Sequence, residues 1–205
     1  MNIIIDYGMG NIGSIHNMLK KVGYVSQISS DPDVIRNANK LILPGVGAFD
    51  TGIKNLEDRA LINVLNECVL KNKTPILGIC LGMQLITKSS EEGTLPGLNW
   101  IEAKTIHFKF EDNEILKVPH MGWNIVDVNK ESKLFKGMEN QENRFYFVHS
   151  YHVVCENRED VLSSTHYGIE FTSSIEHENI YATQFHPEKS HKFGMQLLKN
   201  FMELI

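Results

Sequence analysis

Residues 75–86 read PILGICLGMQLI, and this stretch decides the fold. Residues 75–79 form a short apolar run that starts at a proline, which is typical of a buried strand, and the final MQLI matches the opening of a helix. Gly78 and Gly82 flank the centre, where a sharp strand-to-helix turn would crowd any Cβ. The stretch therefore predicts a strand that ends at Cys80 and turns directly into a helix.

The same alternation of strands and helices extends toward the N-terminus. Four apolar runs predict strands, at residues 2–6, 25–29, 41–43 and 75–79. Between them, apolar residues recur at three- and four-residue spacing within residues 15–22, and an amphipathic helix is predicted over residues 56–70. Strands that alternate with helices imply right-handed crossovers and a parallel sheet covered on both faces. The first ninety residues are therefore predicted to be doubly wound.

The character of the chain changes after about Gly93. Short alternating segments predict strands at residues 115–118, 124–128, 145–148, 152–155, 171–175 and 180–185. A hairpin is predicted around residues 177–179 and a last helix over residues 191–204. The sequence thus predicts an α/β fold: a mixed, mainly parallel, doubly wound sheet with helices on both faces and an additional antiparallel strand region in the C-terminal half. No linker or repeat divides the sequence, so a single domain over residues 1–205 is expected.

Charge and composition argue against several classes of protein. The chain has 205 residues, with 20 Lys and Arg against 25 Asp and Glu, so its net charge is -5, and without a long basic run no nucleic acid is expected as a partner. The apolar start reaches Asp6 too soon for a signal peptide, and residues 75–86 are too few to cross a bilayer. Three cysteines at wide spacing are typical of a reducing compartment. The sequence predicts a cytoplasmic protein without membrane contact.

Residues 8–13, GMGNIG, offer a different interpretation. They match G-x-G-x-x-G between a strand and a helix, and Asp31 stands where a ribose-binding acid would be, so NAD or FAD binding is one hypothesis. Asp6 argues against it, because a carboxylate at the end of the strand would face the pyrophosphate. A tight strand-to-helix turn that needs glycine for backbone reasons is the simpler hypothesis.

The cysteine at the centre of the opening stretch has the setting of a nucleophile. A G-x-C-x-G sequence between a strand and a helix resembles a nucleophile elbow with sulfur in place of oxygen, and it exposes the Cys80 thiol at the edge of the sheet. The helix N-terminus behind the thiol favours the thiolate, and the Leu81 amide points to where an oxyanion would form. The alternative is a buried structural cysteine, which is the favoured interpretation for Cys68 and Cys155.

Residues 185–188, FHPE, supply the base that a cysteine nucleophile needs. His186 and Glu188 are two residues apart at the end of a predicted strand, and Pro187 stiffens the segment so that Glu188 can turn back and orient the imidazole. No zinc site is expected at His149, His152 and Cys155, although they are spaced three residues apart. This stretch alternates like a strand, so positions an odd number apart point to opposite faces, and no fourth ligand is obvious.

Several segments together resemble one family. They are DYGMGN at 6–11, PGVGAF at 44–49, GICLGMQ at 78–84, HMGWN at 120–124, HSYH at 149–152 and FHPEKS at 185–190. By these segments the chain resembles the class I (triad-type) glutamine amidotransferases, and among them the glutaminase subunits of imidazole glycerol phosphate synthase. The resemblance runs the full length of the chain.

This resemblance implies a reaction and the residues that perform it. Cys80 would attack the side-chain carboxamide of L-glutamine, His186 would pass a proton to the leaving ammonia, and Glu188 would orient His186. Water would then hydrolyse the thioester to glutamate, with no metal or cofactor. The implied residues of the oxyanion hole and the substrate-binding site are Gly45, Val46, Gly47, Leu81, Gln84, Ser150 and Tyr151.

The resemblance also implies a partner protein. Ammonia would pass to a TIM-barrel cyclase subunit in a heterodimer, which makes imidazole glycerol phosphate and AICAR in histidine biosynthesis. The residues expected at the partner interface and the ammonia exit are Asn11, His120, Met121, Trp123 and Lys189. Two alternatives stay open: a glutaminase or other thiol hydrolase of similar fold in another pathway, and a dinucleotide-binding module.

Overall fold

The computed structural model describes residues 1–110, 116–139 and 141–205 of the chain. The strands in these ranges are β1 (Asn2–Ile5), β2 (Ser26–Ser29), β3 (Lys40–Leu43), β4 (Ile76–Ile79), β5 (Ser89–Ser90), β6 (Ala103–His107), β7 (His120–Ile125), β8 (Asp127–Val128), β9 (Arg144–His149), β10 (Tyr151–Cys155), β11 (Val161–Tyr167), β12 (Ile169–His177) and β13 (Ile180–Thr183). The helices are α1 (Ile12–Lys21), α2 (Pro32–Arg36), α3 (Phe49–Asp58), α4 (Leu61–Asn66), α5 (Leu81–Leu85) and α6 (His191–Leu204). A π-helical segment, Glu67–Lys71, continues α4.

Eleven of the described strands form one mixed sheet. Its order is β2-β1-β3-β4-β13-β12-β10-β6-β5, with β11 beside β12 and β8 beside β11. The pairs from β2 to β13 are parallel, whereas β12 pairs antiparallel with β13, β10 and β11. A separate antiparallel sheet consists of β7 and β9. The predicted parallel N-terminal part and the predicted antiparallel region in the C-terminal half are both confirmed.

The apolar residues of the parallel strands alternate between two faces. In β1, Ile3 and Ile5 belong to a core with α3, α4 and α5, whereas Ile4 belongs to a core with α1 and α6. Strands that are apolar on both sides are typical of a sheet covered on both faces. The doubly wound arrangement therefore follows from the sequence, and it leaves the C-terminal ends of the strands free for a site.

Three predicted elements differ from the structure. The strand predicted over residues 124–128 is divided at Val126 between β7 and β8, which belong to different sheets. The helix predicted over residues 56–70 is interrupted between α3 and α4 by Ala60, whose φ is 55°. A residue in the left-handed region cannot continue a right-handed helix, and apolar spacing does not reveal such a break. The strand predicted over residues 115–118 is wrong for residues 116–118, which form no strand, and Ile115 lies outside the described residues.

The predicted hairpin and last helix are confirmed, since β12 and β13 pair antiparallel and α6 spans His191–Leu204. The single domain stays a prediction. In the described ranges, no helix combines the length and the hydrophobicity that a membrane span requires.

Candidate active site

Cys80 stands in a turn that the neighbouring strand keeps tight. β4 ends at Ile79 and α5 begins at Leu81, so Cys80 alone joins them, with a φ of 53°. A Cβ at Gly82 would lie 1.9 Å from the carbonyl oxygen of Leu43 in β3, so no larger residue fits there. The turn holds the Cys80 side chain at the C-terminal edge of the sheet, 7% exposed. The strand–turn–helix geometry is the one that the sequence predicts, but the predicted exposure of the thiol is wrong, because Cys80 is buried.

The end of β13 brings a histidine and a glutamate to the same edge. β13 runs parallel to β4 with Thr183 opposite Ile79, so the residues after β13 follow beside the cysteine. His186 Nδ1 lies 2.8 Å from Glu188 Oε1, and both side chains are buried. The His186 backbone is also fixed, because its N–H donates to the carbonyl oxygen of Tyr146 at 2.9 Å. The predicted nucleophile, base and orienting carboxylate therefore meet at one edge of the sheet.

The surroundings of His186 favour its protonated form. Burial by itself lowers the pKa of His186, but its interactions with Cys80 and Glu188 outweigh burial and raise that pKa to about 10. Nδ1 is taken by Glu188. Nε2 has no partner at full hydrogen-bond geometry among the described residues, yet it is close enough to Cys80 for the sulfur to affect its pKa. The contacts with Cys80 and Glu188 therefore favour the imidazolium form of His186 despite its burial.

A cleft of about 370 Å³ opens beside the cysteine. Six of the predicted oxyanion and substrate-binding residues line it: Val46, Gly47, Leu81, Gln84, Ser150 and Tyr151. Gly45 lies behind the lining, where a Cβ would approach the Tyr7 hydroxyl to 2.6 Å. The cleft volume is in the range of small-molecule sites.

One predicted oxyanion donor is already engaged. The Leu81 N–H donates to the carbonyl oxygen of Gly45 at 3.4 Å. Tyr7 holds the same turn, because its hydroxyl donates to the carbonyl oxygen of Pro44 at 2.5 Å, and burial raises the pKa of Tyr7 so that the donor keeps its proton. Gly47, in the same turn, has a φ of 113°, a conformation that favours glycine. In this structure the N–H of Leu81, a predicted oxyanion donor, is therefore already bonded to the turn at residues 44–47.

The glycine-rich segment at residues 8–13 packs against that turn. A Cβ at Gly10, whose φ is 101°, would lie 2.9 Å from the Cβ of Pro44. Asp31 accepts hydrogen bonds from the first N–H groups of α2 and caps this helix. Gly10 therefore allows the close approach of two turns. Asp31, which the dinucleotide hypothesis assigns to a ribose, caps α2 instead. Both features of the dinucleotide hypothesis have simpler explanations.

Two polar residues near Cys80, Glu92 and Gln184, are candidates for the site that the sequence does not predict. Glu92 lines the cleft, and its Oε2 accepts the N–H of Phe49 at 2.9 Å. Gln184 is fully buried, and its Nε2 lies 3.7 Å from Cys80 Sγ. The sequence does contain an indication for Gln184, because it stands in the apolar run at residues 180–185, and a polar side chain buried there requires a hydrogen-bond partner. Glu92 stands in a polar segment where no pattern marks it.

Most of the predicted interface residues lie at the surface on or beside β7. Met121 is 62% exposed and Trp123 46% exposed. The Lys189 ammonium lies over the ring of Tyr146, and Trp123 contacts the same ring, so these two predicted residues share one side of the molecule. Asn11 is half-buried at the start of α1, which packs against the turn that contains Lys189.

His120 differs from this expectation, because its side chain is buried beneath the surface of β7. His149, which lines the cleft, has Nδ1 at 2.7 Å from the carbonyl oxygen of Tyr151, so Nδ1 donates and Nε2 accepts from His120 Nδ1 at 3.0 Å. His120 Nε2 then accepts from Asn124 Nδ2 at 3.2 Å. Burial lowers the pKa of His149 to about 3 and that of His120 to about 4, so both rings are neutral at pH 7.

Comparison of the sequence with known proteins gives similarity over nearly the whole chain. The family described as glutamine amidotransferase class-I matches residues 3–204. The imidazole glycerol phosphate synthase subunit HisH 2 of Methanococcus maripaludis is 55% identical over 203 residues, which are 99% of each chain. The subunit HisH 2 of Pseudomonas aeruginosa is 49% identical over 205 residues, which are 100% of each chain.

Solved structures share the fold at lower sequence identity. A glutamine amidotransferase structure covers 98% of this chain and 97% of its own, with a TM-score of 0.71 and 19% identity. The structure of PurLQS from Thermotoga maritima covers 98% of this chain and 96% of its own, with a TM-score of 0.71 and 14% identity. At these identities the likeness concerns the fold.

Proposed function

The chain belongs to the class-I glutamine amidotransferase family, and on that premise we propose that it hydrolyses L-glutamine at Cys80 and passes the ammonia to a cyclase subunit. The observation that carries this proposal is the meeting of Cys80 with the His186–Glu188 pair beside the cleft. The full-length similarity to subunits of imidazole glycerol phosphate synthase supports a role in histidine biosynthesis, with imidazole glycerol phosphate and AICAR as the products of the partner.

The first half of the reaction forms a thioester. The Cys80 sulfur bonds to the carbon of the substrate carboxamide, and the carbonyl electron pair moves onto the oxygen. When the carbon–nitrogen bond breaks, His186 gives its Nε2 proton to the leaving nitrogen, which departs as ammonia. Glu188 accepts the Nδ1–H of His186 throughout and holds the ring in the tautomer that exposes Nε2. A neutral His186 and a thioester on Cys80 remain.

The second half returns the groups to their first state. Neutral His186 takes a proton from water at Nε2 while the water oxygen attacks the thioester carbon. The carbon–sulfur bond breaks with its electron pair on the sulfur, and the product carboxyl gives its remaining proton to solvent and leaves as glutamate. The Cys80 thiolate and the His186 imidazolium are then restored. In both halves negative charge develops on an oxygen, and the Leu81 N–H is its proposed donor, together with a backbone amide of the turn at residues 44–47.

The two charged ends of L-glutamine need partners in the cleft. Glu92 supplies a carboxylate for the α-ammonium group. Gln84 adds its Oε1, because its Nε2 is already shared between the carbonyl oxygen of Tyr151 and Gln184. The backbone of Ser150 and Tyr151 lines the cleft and is the proposed partner of the α-carboxylate. These contacts fix the substrate with its side chain toward the sulfur.

Transfer of ammonia gives a reason for a partner at this face. At neutral pH free ammonia is mostly ammonium, a poor nucleophile, so a synthase gains by receiving it before it meets water. The exposed residues Met121, Trp123 and Lys189, together with Asn11, are the proposed contacts of a TIM-barrel cyclase in a heterodimer. His120 supports this face from beneath through His149.

The cysteines support a cytoplasmic setting. Cys68, Cys80 and Cys155 are all free thiols. A reducing compartment keeps a catalytic thiol available. We therefore propose that the protein works in the cytoplasm.

Glutamate release tests the proposed function. The subunit is assayed alone and with its cognate cyclase and the cyclase substrate, and both glutamate and imidazole glycerol phosphate are measured. We expect the cyclase to stimulate glutamate formation and the two products to match. Glutamate formation that the cyclase does not stimulate would assign the protein to another pathway, and an absence of glutamate in both assays would refute the glutaminase.

Variants of the three proposed catalytic residues locate the reaction. Cys80→Ser should lower glutamate formation at least ~10³-fold, because a hydroxyl lacks the nucleophilicity of a thiolate, and His186→Ala should be as damaging. Glu188→Gln should be milder, because it weakens only the orientation of the ring. Cys155→Ser is the control, since burial raises the pKa of Cys155 to about 12 and keeps it an unreactive thiol. Full activity in His186→Ala would contradict the assignment.

A further inference from the structure

Gln184 is a buried polar residue that the reaction described above does not use. It follows β13 directly, its N–H donates to the carbonyl oxygen of Ser173 at 2.9 Å, and its side chain is fully buried. The side-chain amide has two polar neighbours: Gln84 Nε2 lies 3.2 Å from its Oε1, and Cys80 Sγ lies 3.7 Å from its Nε2. The amide therefore lies between a residue of the cleft and the nucleophile.

The orientation of both amides follows from one backbone carbonyl. The carbonyl oxygen of Tyr151 can only accept, so the Gln84 atom that lies 3.2 Å from it must be the NH2 group. That NH2 group is also the neighbour of Gln184, so the Gln184 atom that faces it must be the oxygen. The other atom of the amide, the one that faces Cys80, is then an NH2 group. A flipped Gln184 would set two donors against each other and an oxygen against the sulfur.

From this geometry we propose that Gln184 is a further catalytic residue, whose Nε2–H donates to Cys80 Sγ and stabilises the thiolate. A hydrogen bond to a charged group contributes more than one to a neutral group, so the donor favours the thiolate over the thiol. Two groups then share the work at the sulfur: His186 exchanges the proton, and Gln184 holds the charge that remains. This inference rests on the proposed function only in assigning Cys80 as the nucleophile.

The same hydrogen bond acts in both halves of the reaction. It weakens when the sulfur loses its charge in the thioester, and it re-forms when the carbon–sulfur bond breaks, so it favours release of the thiolate from the acyl enzyme. Gln84, a proposed contact of the substrate, fixes the amide on its other side. Substrate bound at Gln84 and charge on Cys80 are therefore linked through a single side chain.

The test is the pH dependence of Cys80 alkylation in the intact subunit. Iodoacetamide reacts with the thiolate, and mass spectrometry of the Cys80 peptide measures the rate without any glutamine. In Gln184→Met, which keeps the length of the side chain and loses the donor, the midpoint of the pH profile should rise by about one pH unit. Glutamine turnover should show a kcat lowered about tenfold with KM little changed.

Two further variants keep the outcome unambiguous. Gln196→Met, a half-buried glutamine on α6, is the matched control and should leave the alkylation profile and the activity unchanged. If Gln184→Met does not fold, Gln184→Asn keeps the amide but draws it away from the sulfur, and the same upward shift is expected. A folded Gln184 variant whose alkylation profile equals that of the wild type would overturn the proposal, even if activity falls. A shifted profile in a protein that hydrolyses no glutamine would refute the proposed function, while the stabilising hydrogen bond from Gln184 to the Cys80 thiolate would stand.

Discussion

Cys80 holds a backbone conformation that its own Cβ disfavours. Its φ is 53° and its ψ is -107°, outside the regions that residues with a side chain ordinarily occupy. Hydrogen bonds on both sides maintain it: the Cys80 N–H donates to the carbonyl oxygen of Thr183 at 2.7 Å, and the carbonyl oxygen of Cys80 accepts from Met83 N–H at 3.0 Å. Conformations of this kind cost on the order of 1–3 kcal/mol and are common at active sites.

Cys80→Gly is therefore expected to be more stable than Cys80→Ala, although glycine destabilises most positions. Both substitutions remove the sulfur, but only glycine removes the Cβ that makes the conformation unfavourable. The expected difference is about 1 kcal/mol, which raises the midpoint of thermal unfolding by roughly 2–4 °C in a chain of this length. Thermal melts followed by circular dichroism measure it.

Cys68 supplies the control for this comparison. It is buried in the π-helical segment that follows α4, where the backbone is helical. There the order should reverse, with Cys68→Gly less stable than Cys68→Ala by about 0.5–1 kcal/mol. If the alanine variant is the more stable one at Cys80 as well as at Cys68, the backbone at Cys80 is not strained.

Among the elements, the strands that carry the site follow from local sequence. β1, β3 and β4 are short apolar runs, and the observed ends of each lie within one residue of the predicted ones. Local sequence does not predict β11. This strand buries Ser163, Ser164 and Thr165, and such a polar segment is typical of a loop. Its polar groups find partners in β12, as Ser163 Oγ does 2.9 Å from Ser173 Oγ. The local sequence pattern of β11 does not show that it pairs with β12.

The candidate site shows the same division. Cys80, His186 and Glu188 each stand in a short motif, so the sequence alone predicts them as catalytic residues. Glu92 contacts Phe49, which is 43 positions away in the sequence, and Gln184 contacts Cys80, which is 104 positions away. Only the folded structure therefore reveals the surroundings of these two residues. The buried position of His120 has the same cause, because it depends on how β7 pairs with β9.

Trp123→Ala tests the β7–β9 pair as the partner-facing element. The Trp123 ring is half exposed and stacks on His191 at 5.4 Å, so truncation should lower the midpoint of thermal unfolding by no more than about 3 °C. Stimulation by the cyclase should fall about tenfold, as expected for an aromatic contact at the centre of an interface. Thermal melts and the paired assay of glutamate and imidazole glycerol phosphate measure the two effects.

Trp100 is the matched control, since it is the other tryptophan of the chain. It is buried, and its Nε1–H donates to Asn66 Oδ1 at 2.7 Å. Trp100→Ala should destabilise the fold by about 3–5 kcal/mol and leave stimulation of the folded molecules unchanged. A large drop in thermal midpoint for Trp123→Ala, with stimulation intact, would make Trp123 a packing residue.

At the scale of the whole molecule, stability depends on histidines that are neutral when buried. Burial lowers the pKa of His120 and of His152 to about 4 and that of His149 to about 3. In an unfolded chain the histidine pKa is about 6.5. The unfolded chain therefore binds more protons between these values, and the free energy of unfolding should fall as the pH drops from about 6.5 to about 4.

His152→Leu is expected to flatten this pH dependence. Neither ring nitrogen of His152 has a hydrogen-bond partner among the described residues, so the substitution removes a titrating group without breaking such a bond. A pKa lowered from about 6.5 to about 4 makes unfolding about 2 kcal/mol easier at about pH 5 than at about pH 7.5, and the variant should lose that difference. Urea unfolding at the two pH values measures it.

His166→Leu provides the comparison, because His166 is exposed on β11. It should leave the difference between the two pH values as it is in the wild type. If His152→Leu and the wild type lose stability equally on acidification, burial of His152 is not the cause.

The turn at Cys80 has a consequence for how this protein can evolve. If glycine stabilises that turn, a population selected only for yield or heat resistance would lose the proposed nucleophile, because the cysteine does not stabilise the fold. Selection for catalysis would then be what retains Cys80. Directed evolution of the subunit toward thermostability therefore needs an activity screen in every round. Without it, Cys80→Gly would be selected early, because it raises thermal stability while it removes the sulfur.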